Sequence, residues 1–320
     1  MRRQAVFAVL FAALASHASA QPFPNQPIRL VLGFAPGGIT DFTGRVVAQG
    51  ISKALGGHAV VPENKPGAAG VTAAAFVARS APDGYTLVLT DPGTVINPLL
   101  RAGVPYKMSE LTTIGMVGSS PVVIVTSKTL AVSNLKEFID YGLHNPGKIA
   151  FASAGIGSAP HLAAELFQSM TKVKMLHIPY AGIGGAYPDI MSGKVQAAFS
   201  SIVGALPFTS DNKVNALATT GSKRPAAYPN IPTVAEAAAL PGYSADIWLA
   251  LSAAAGTPAA VVDTLNAALV KALADKTNIE ALSKVGVEPW TTTPTEANAF
   301  VDNEGRRWPS VIHAAGLSPK

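Results

Sequence analysis

Val31-Leu32-Gly33-Phe34-Ala35-Pro36-Gly37-Gly38-Ile39-Thr40-Asp41 reads as a strand end, a glycine-rich turn and a helix start. The same succession returns at Phe151-Ala152-Ser153-Ala154-Gly155-Ile156-Gly157-Ser158-Ala159-Pro160-His161. Neither turn contains a lysine or an arginine. Each offers backbone N–H groups, hydroxyls and the positive end of a helix, a combination that suits an anion such as a carboxylate. Two such turns on two lobes describe a clamp more readily than a catalyst.

Outward from these turns, strands and helices alternate, which predicts an α/β architecture with mainly parallel sheets. Strands are expected at Ile28 to Phe34, His58 to Val61, Thr86 to Thr90, Val122 to Val125 and Ile149 to Ala152. Phe42 to Leu55 and His161 to Met170 read as the helices behind the two turns. The breaker cluster Pro66-Gly67-Ala68-Ala69-Gly70 opens a further small-residue helix. Ser133 is expected to cap one helix, and Thr257 with Pro258 to start another. That second helix carries an apolar stripe at Val261, Leu265, Leu269 and Leu273. Thr293-Pro294-Thr295-Glu296 is a capping box for the last helix, which Pro309 should kink or stop. The absence of a low-complexity linker favours two lobes that share crossing segments.

The first twenty residues have the form of an export signal, with Arg2 and Arg3 ahead of the apolar run Ala5 to Leu14 and an Ala18-Ser19-Ala20 cleavage site. Cleavage is expected after Ala20, placing the mature protein in the periplasm. The apolar run is too short to span a bilayer. Losing Arg2 and Arg3, and no acid, lowers the net charge from +5 to +3. This surplus is unclustered, so no nucleic-acid partner is expected. The chain has no cysteine, which removes disulfides, thiol catalysis and cysteine metal sites. About 300 mature residues suffice for two domains.

Other chemistries find weak support. Gly155 and Gly157 lack the third glycine of a dinucleotide fingerprint, since position 160 is Pro160. Ser210-Asp211-Asn212-Lys213 holds overlapping S-D-N and S-x-x-K strings, but penicillin-recognising enzymes need these apart, with a K-T-G strand that is missing here. Its residues read as a turn. The histidines form no H-E-x-x-H or similar cluster, so neither a metal nor a cofactor is expected. His161 beside the second turn is either a ligand contact or a helix residue bonded to backbone. Asp41 is favourable in a first helical turn and can pair with Arg45, so it is expected to order the turn and leave Thr40 and the Gly37 and Gly38 N–H groups nearer a ligand. Pro179-Tyr180-Ala181-Gly182-Ile183-Gly184-Gly185 reads as a third loop on the same cleft, or as an ordinary turn over Tyr180.

With these residues in view, the chain resembles the substrate-binding proteins of tripartite tricarboxylate transporters, the Bug family of periplasmic receptors. The resemblance runs from about Pro24 to Gly316. It is carried by Phe34-Ala35-Pro36-Gly37-Gly38 with Thr40-Asp41, Glu63-Asn64-Lys65-Pro66-Gly67-Ala68 and Ala81-Pro82-Asp83-Gly84-Tyr85-Thr86-Leu87. Ile96-Asn97-Pro98, Pro232-Thr233-Val234-Ala235-Glu236 and Ala255-Gly256-Thr257-Pro258 also match, in order.

The resemblance implies a two-lobed periplasmic binding protein of type II with its ligand cleft between the lobes. Residues 21–121 plus 249–320 would form lobe 1, and 122–248 lobe 2. The linkers would lie near Pro121 to Val125 and Tyr243 to Leu249, with Trp248 near the hinge or cleft. Carried over residue by residue, Ala35, Gly37, Gly38 and Thr40 would face Ser153, Gly155, Gly157, Ser158 and His161 across a small organic carboxylate. Asp41, Tyr180 and Ser200 complete the candidate site. The protein would act as a monomer that delivers its cargo to a membrane permease. A sensor that presents its liganded form to a membrane signalling protein is the alternative among binding proteins. A periplasmic serine hydrolase using Ser158 and His161 is the alternative among enzymes, although no third residue is available to orient the histidine.

The chain departs from the family at Ser200-Ser201, where relatives often have a polar pair such as Asp-Asn. Ala181 stands where many have lysine after Pro-Tyr. Asp91-Pro92 replaces smaller polar residues before Gly93-Thr94. The far end of the cleft therefore differs in charge and polarity from the family pattern.

Overall fold

The computed structural model describes residues 23–226 and 228–314; the expected export signal at 1–20 lies outside them. The chain opens with strand β1 (Ile28–Leu32), helix α1 (Ile39–Ala54), β2 (Val60–Asn64) and a single 3-10 turn at Ala68–Gly70. α2 (Val71–Ala78), β3 (Thr86–Thr90), α3 (Pro92–Leu100) and the long β4 (Leu111–Ser127) follow. Next come α4 (Leu135–His144), β5 (Ile149–Ser153), α5 (Ala159–Thr171), β6 (Met175–Pro179), α6 (Tyr187–Met191), β7 (Ala197–Ser201), α7 (Ile202–Ser210) and β8 (Val214–Thr219). The last part holds α8 (Val234–Ala237), β9 (Asp246–Ala254), α9 (Ala259–Ala274), α10 (Lys276–Lys284), β10 (Glu288–Pro289) and α11 (Pro294–Ala314).

The strands lie in the order β2-β1-β3-β9-β4-β7-β5-β6. β1 is parallel to β2 and β3, and β5 is parallel to β6 and β7, so each half is a parallel unit with helices packed on it. Between them run β4 and β9, antiparallel to each other from Leu111↔Ala254 to Pro121↔Asp246. From Val122 onward β4 changes partner and pairs with β7 and β8. The chain thus crosses between the halves on two paired strands. Strands that run parallel end together, so the turns after β1 and β5 emerge at the same kind of edge, where open α/β sheets bind ligands.

The expected strand at Val122 to Val125 is the apolar second half of β4. Its first half, Thr112-Thr113-Ile114-Gly115-Met116-Val117-Gly118-Ser119, has no clean two-residue alternation. The register shifts between Thr113 and Gly115 and again between Met116 and Gly118, which breaks the period. Helix α1 starts three residues earlier than expected, and its inner face centres on Val47, Ala48 and Ile51, with Phe42, Val46 and Leu55 at its margins. The core runs through both halves, joining Leu30 and Leu87 to Phe151 and Phe199 by way of Ile124, Ile247 and Leu249.

Two expected helix starts are corrected, and one of the two outcomes expected at Pro309 does not occur. The cap of α4 is Asn134, whose side chain accepts the Glu137 N–H at 3.0 Å, while Ser133 bonds back to Glu137. Thr257 donates its hydroxyl to the Ala254 carbonyl, so α9 begins behind Pro258 without a side-chain cap. Pro309 does not stop α11. Pro309 is exposed, so water can satisfy the carbonyl that loses its partner, and the buried Trp308 and Ile312 hold the helix down on either side. The Thr293–Glu296 capping box forms as expected.

Trp248 lies on crossing strand β9, under α11. Its indole N–H and that of Trp308 both donate to Glu304 Oε2, at 3.0 and 3.1 Å, with all three residues buried. Glu304→Gln should lower stability by about 1–2 kcal/mol, because two charge-assisted bonds become neutral ones. A lower urea midpoint at unchanged slope would show it; an unchanged midpoint would remove this anchor from the fold's stability.

Candidate functional site

The first turn leaves β1 at Gly33 and enters α1 behind Gly38, whose backbone is extended and supplies no side-chain cap. The N–H groups of Ile39 and Thr40 therefore open on the space ahead of the helix without a capping side chain. They sit at the positive end of a 16-residue helix. Asp41 takes the part expected of it. Its carboxylate accepts the Gly37 N–H at 3.0 Å and pairs with Arg45 at 2.8 Å, and Asn64 ties it to the Phe34 carbonyl. Burial works against this charge, but the bonds from Arg45, Gly37 and Asn64 outweigh it and hold the carboxyl below its usual range. One expectation is corrected here: the Gly37 N–H is committed to Asp41, which leaves the helix N–H groups beyond Gly38 as the free donors. Gly37 has φ +88°, a conformation glycine adopts without strain.

The second turn is built differently. Ser158 caps α5, and its hydroxyl also donates to the Gly155 carbonyl at 2.7 Å. Gly155 N–H donates to Ser153 Oγ, and Gly157 N–H donates to His161 Nδ1 at 3.1 Å. Position 160 is proline and has no N–H. Most of this turn's donors are thus engaged in holding it together, so the two turns are not equivalent anion cradles.

His161 does not face the cleft. Its Nδ1 accepts from Gly157, which places the ring proton on Nε2, 3.4 Å from Glu165 Oε1. The ring stacks on His177 at 4.1 Å between centroids and is 2% exposed. Burial, with His161 beside it, pushes the His177 pKa down to about 3, so His177 is a neutral ring, with Nε2 2.6 Å from Ser153 Oγ. Among the described residues no hydrogen bond joins Ser158 Oγ to the His161 ring, and the Ser158 proton points to a carbonyl. This arrangement gives no activated nucleophile.

Between the turns lies a chamber of about 190 Å³. One wall is the first turn, from Phe34 to Thr40; facing it are Ala154, Ser158, Ala159 and Pro160. The loop Ala181 to Gly184 closes one side, and Asp91, Ser201, Gly204 and Ile247 complete the lining. Of the sequence candidates, Ala35, Gly37, Gly38, Thr40 and Ser158 line this chamber. Gly155 and Tyr180 line an adjoining one of about 350 Å³, which also holds Arg101. Tyr180 donates its hydroxyl to Asp189 at 2.7 Å. Ser153, Gly157 and His161 stand behind the walls. Ser200 is corrected: it is buried beneath the chamber, accepting from Tyr187 at 2.9 Å, and its neighbour Ser201 takes the place on the wall. Trp248 lines neither chamber.

Ile247 on the wall escapes the motif reading, because it lies on β9, outside every glycine turn, whereas Ile39 and Ile183 lie within the first and third turns without being singled out as wall residues. Asp91 caps α3 through the Thr94 N–H at 3.1 Å and Thr94 Oγ1 at 3.3 Å. Burial raises its pKa to about 6 despite these bonds.

The halves touch directly beside the chamber. Asn97 Nδ2 reaches the Gly157 carbonyl at 3.4 Å, and Arg101 donates to the Ile156 carbonyl at 2.7 Å. Among the described residues no group of acids, histidines or cysteines is placed to hold a metal, and no helix is long and apolar enough to cross a membrane.

Two parallel half-sheets, a pair of crossing strands and a chamber between facing turns define a two-lobed periplasmic binding fold. The chain belongs to the tripartite tricarboxylate transporter family of receptors, whose family model matches residues 43–317. It is 35% identical to BugT of Bordetella pertussis over 312 residues, which cover 97% of this chain and 95% of BugT. Among solved structures, Rpa4515 of R. palustris with adipate superposes with a TM-score of 0.86 at 30% identity, covering 93% of this chain and all of that one. The periplasmic binding protein BugD gives 0.85 at 32%, over 93% of this chain and 100% of BugD. MatC from Rhodopseudomonas palustris with bound malate gives 0.83 at 31%, over 91% of this chain and 100% of MatC.

Proposed function

We propose that this chain captures a small organic carboxylate in the periplasm and delivers it to a membrane permease of the tripartite tricarboxylate type. The observation that carries the reading is the uncapped start of α1 opening into a chamber between two lobes. A carboxylate there replaces its lost water with helix N–H groups and the Thr40 hydroxyl. The adipate and malate held by two relatives support the same ligand class. Lobe 1 comprises 21–121 plus 249–320 and lobe 2 comprises 122–248, closing about β4 and β9. The contacts made by the ligand stabilise the closed arrangement over the open one. Ala35, Gly38, Thr40 and Ser158 line the binding site, and Asp41 and Gly37 set the shape of the turn. The receptor works as a monomer, exported with cleavage after Ala20.

The test is a thermal-shift panel of organic acids and their amides on refolded protein. A carboxylate at 100 times its Kd adds about 2.7 kcal/mol, a rise of several degrees, while its amide adds nothing. Equal shifts for acid and amide, or none for any acid, would overturn the carboxylate reading.

A further inference from the structure

The chamber's chemistry is lopsided. Its anion-binding end, at the start of α1, is polar through backbone groups. The rest of the wall is Phe34, Ile39, Pro160, Ile183 and Ile247 with small residues between. Ile39, Pro160, Ile183 and Ile247 are buried, so the apolar surface they offer is turned inward. Among the described residues no lysine, arginine or histidine lines this chamber. Among the described residues the one charged side chain on its wall is Asp91, a buried carboxylate bonded within its own helix start.

We propose that the cargo is a monocarboxylate with an apolar body, and that Asp91 excludes acids carrying a second carboxylate. This rests on the carboxylate reading above and narrows it. The first carboxylate sits at the start of α1, and the body fills the space against Ile39, Ile183 and Ile247. A second carboxylate on that body would lose its water among apolar side chains, with no cation to meet it and Asp91 on the same wall. An ion buried without a partner is strongly disfavoured. Arg101 belongs to the adjoining chamber, which shares Phe34, Ala154 and Ala181 with this one, and it donates to the Ile156 carbonyl. The relatives seen with adipate and malate hold dicarboxylates, so the proposal sets this chain's cargo apart from theirs.

Matched acids test this by calorimetry at pH 8 on the refolded protein: hexanoate against adipate, butanoate against succinate, benzoate against terephthalate. Each pair shares its frame and differs in the second carboxylate. The better monoacid should bind at least about 100-fold more tightly than its diacid partner. Asp91→Asn keeps a side chain able to cap α3 and should narrow that ratio about tenfold or more, the readout being the ratio within one variant. Ile183→Asp should weaken the monoacid and leave the diacid no better. A diacid that binds as tightly as its monoacid, or a ratio unmoved by Asp91→Asn, overturns the inference while leaving the carboxylate site in place. Failure of every acid overturns both.

Discussion

Gly157→Val should reduce carboxylate affinity at least about 100-fold, equivalent to about 2.7 kcal/mol, while the protein still folds. Two separate obstacles act at this position. The backbone has φ +82°, which a β-branched residue adopts only under strain. A Cβ there would also lie 2.5 Å from Asn97 Oδ1, and the Asn97 side chain is fully buried and tied to the Gly93 carbonyl at 2.8 Å. The valine would push α3 away from the second turn, and with it the wall that carries Asp91. Gly157→Ala, alone and combined with Asn97→Ala, separates the causes: removing the asparagine relieves the clash and leaves the φ strain. Calorimetry with the best-binding acid reads the loss, and far-UV circular dichroism checks the fold. Unchanged affinity in Gly157→Val would mean that the approach of the two lobes at this turn plays no part in binding.

Much of this arrangement is legible in the sequence because it is local. A strand end, a glycine turn and a helix start lie within eleven residues, and each constrains the next. The pairing of Asp41 with Arg45 follows from helical spacing alone, and it forms at 2.8 Å. What is not legible depends on pairs distant in the chain. The bond from the Gly157 N–H to His161 Nδ1 is local and is the backbone-bonded alternative offered for that histidine. The stacking of its ring on His177, which lies on a separate strand, is announced by neither neighbourhood. Ser200 and Ser201 are alternatives from sequence, and the two-residue period of β7 decides between them. Ser200 points under the sheet to Tyr187, and Ser201 reaches the chamber. Ile183, Gly204 and Ile247 converge on the chamber from three separate elements, so no window of sequence holds them together.

The lopsided chamber also bears on how such a receptor closes. On the proposed reading, helix N–H groups would hold one carboxylate without adding a mobile charged side chain, so little conformational entropy would oppose binding. Apolar surface on both lobes then favours closure once the ligand body bridges them. Direct contacts at Asn97 and Arg101 already join the halves without a ligand, and under the proposed closure they would bias the empty protein toward the closed arrangement.

Asp91→Asn should stabilise the unliganded protein at neutral pH by up to about 3 kcal/mol and lose that advantage in acid. Burial puts the Asp91 pKa in the folded chain at about 6, above its ordinary value of 3.8. Below pH 3.8 the carboxyl is protonated in both states and the fold bears no charge-burial penalty. Between pH 3.8 and 6 the unfolded chain ionises while the folded chain does not, so stability falls as pH rises. Above pH 6 both states are ionised and the penalty is constant. Asparagine does not titrate and retains the capping carbonyl for Thr94. The difference in urea-unfolding free energy between variant and parent should therefore climb from pH 4 to pH 6.5 and then level off. Carboxylates held below their usual range, such as Asp41, favour the opposite trend in both proteins and cancel in that difference. A difference that stays flat across this range would show that Asp91 is solvated in the free protein, and with it the argument that the chamber repels a second carboxylate would fall.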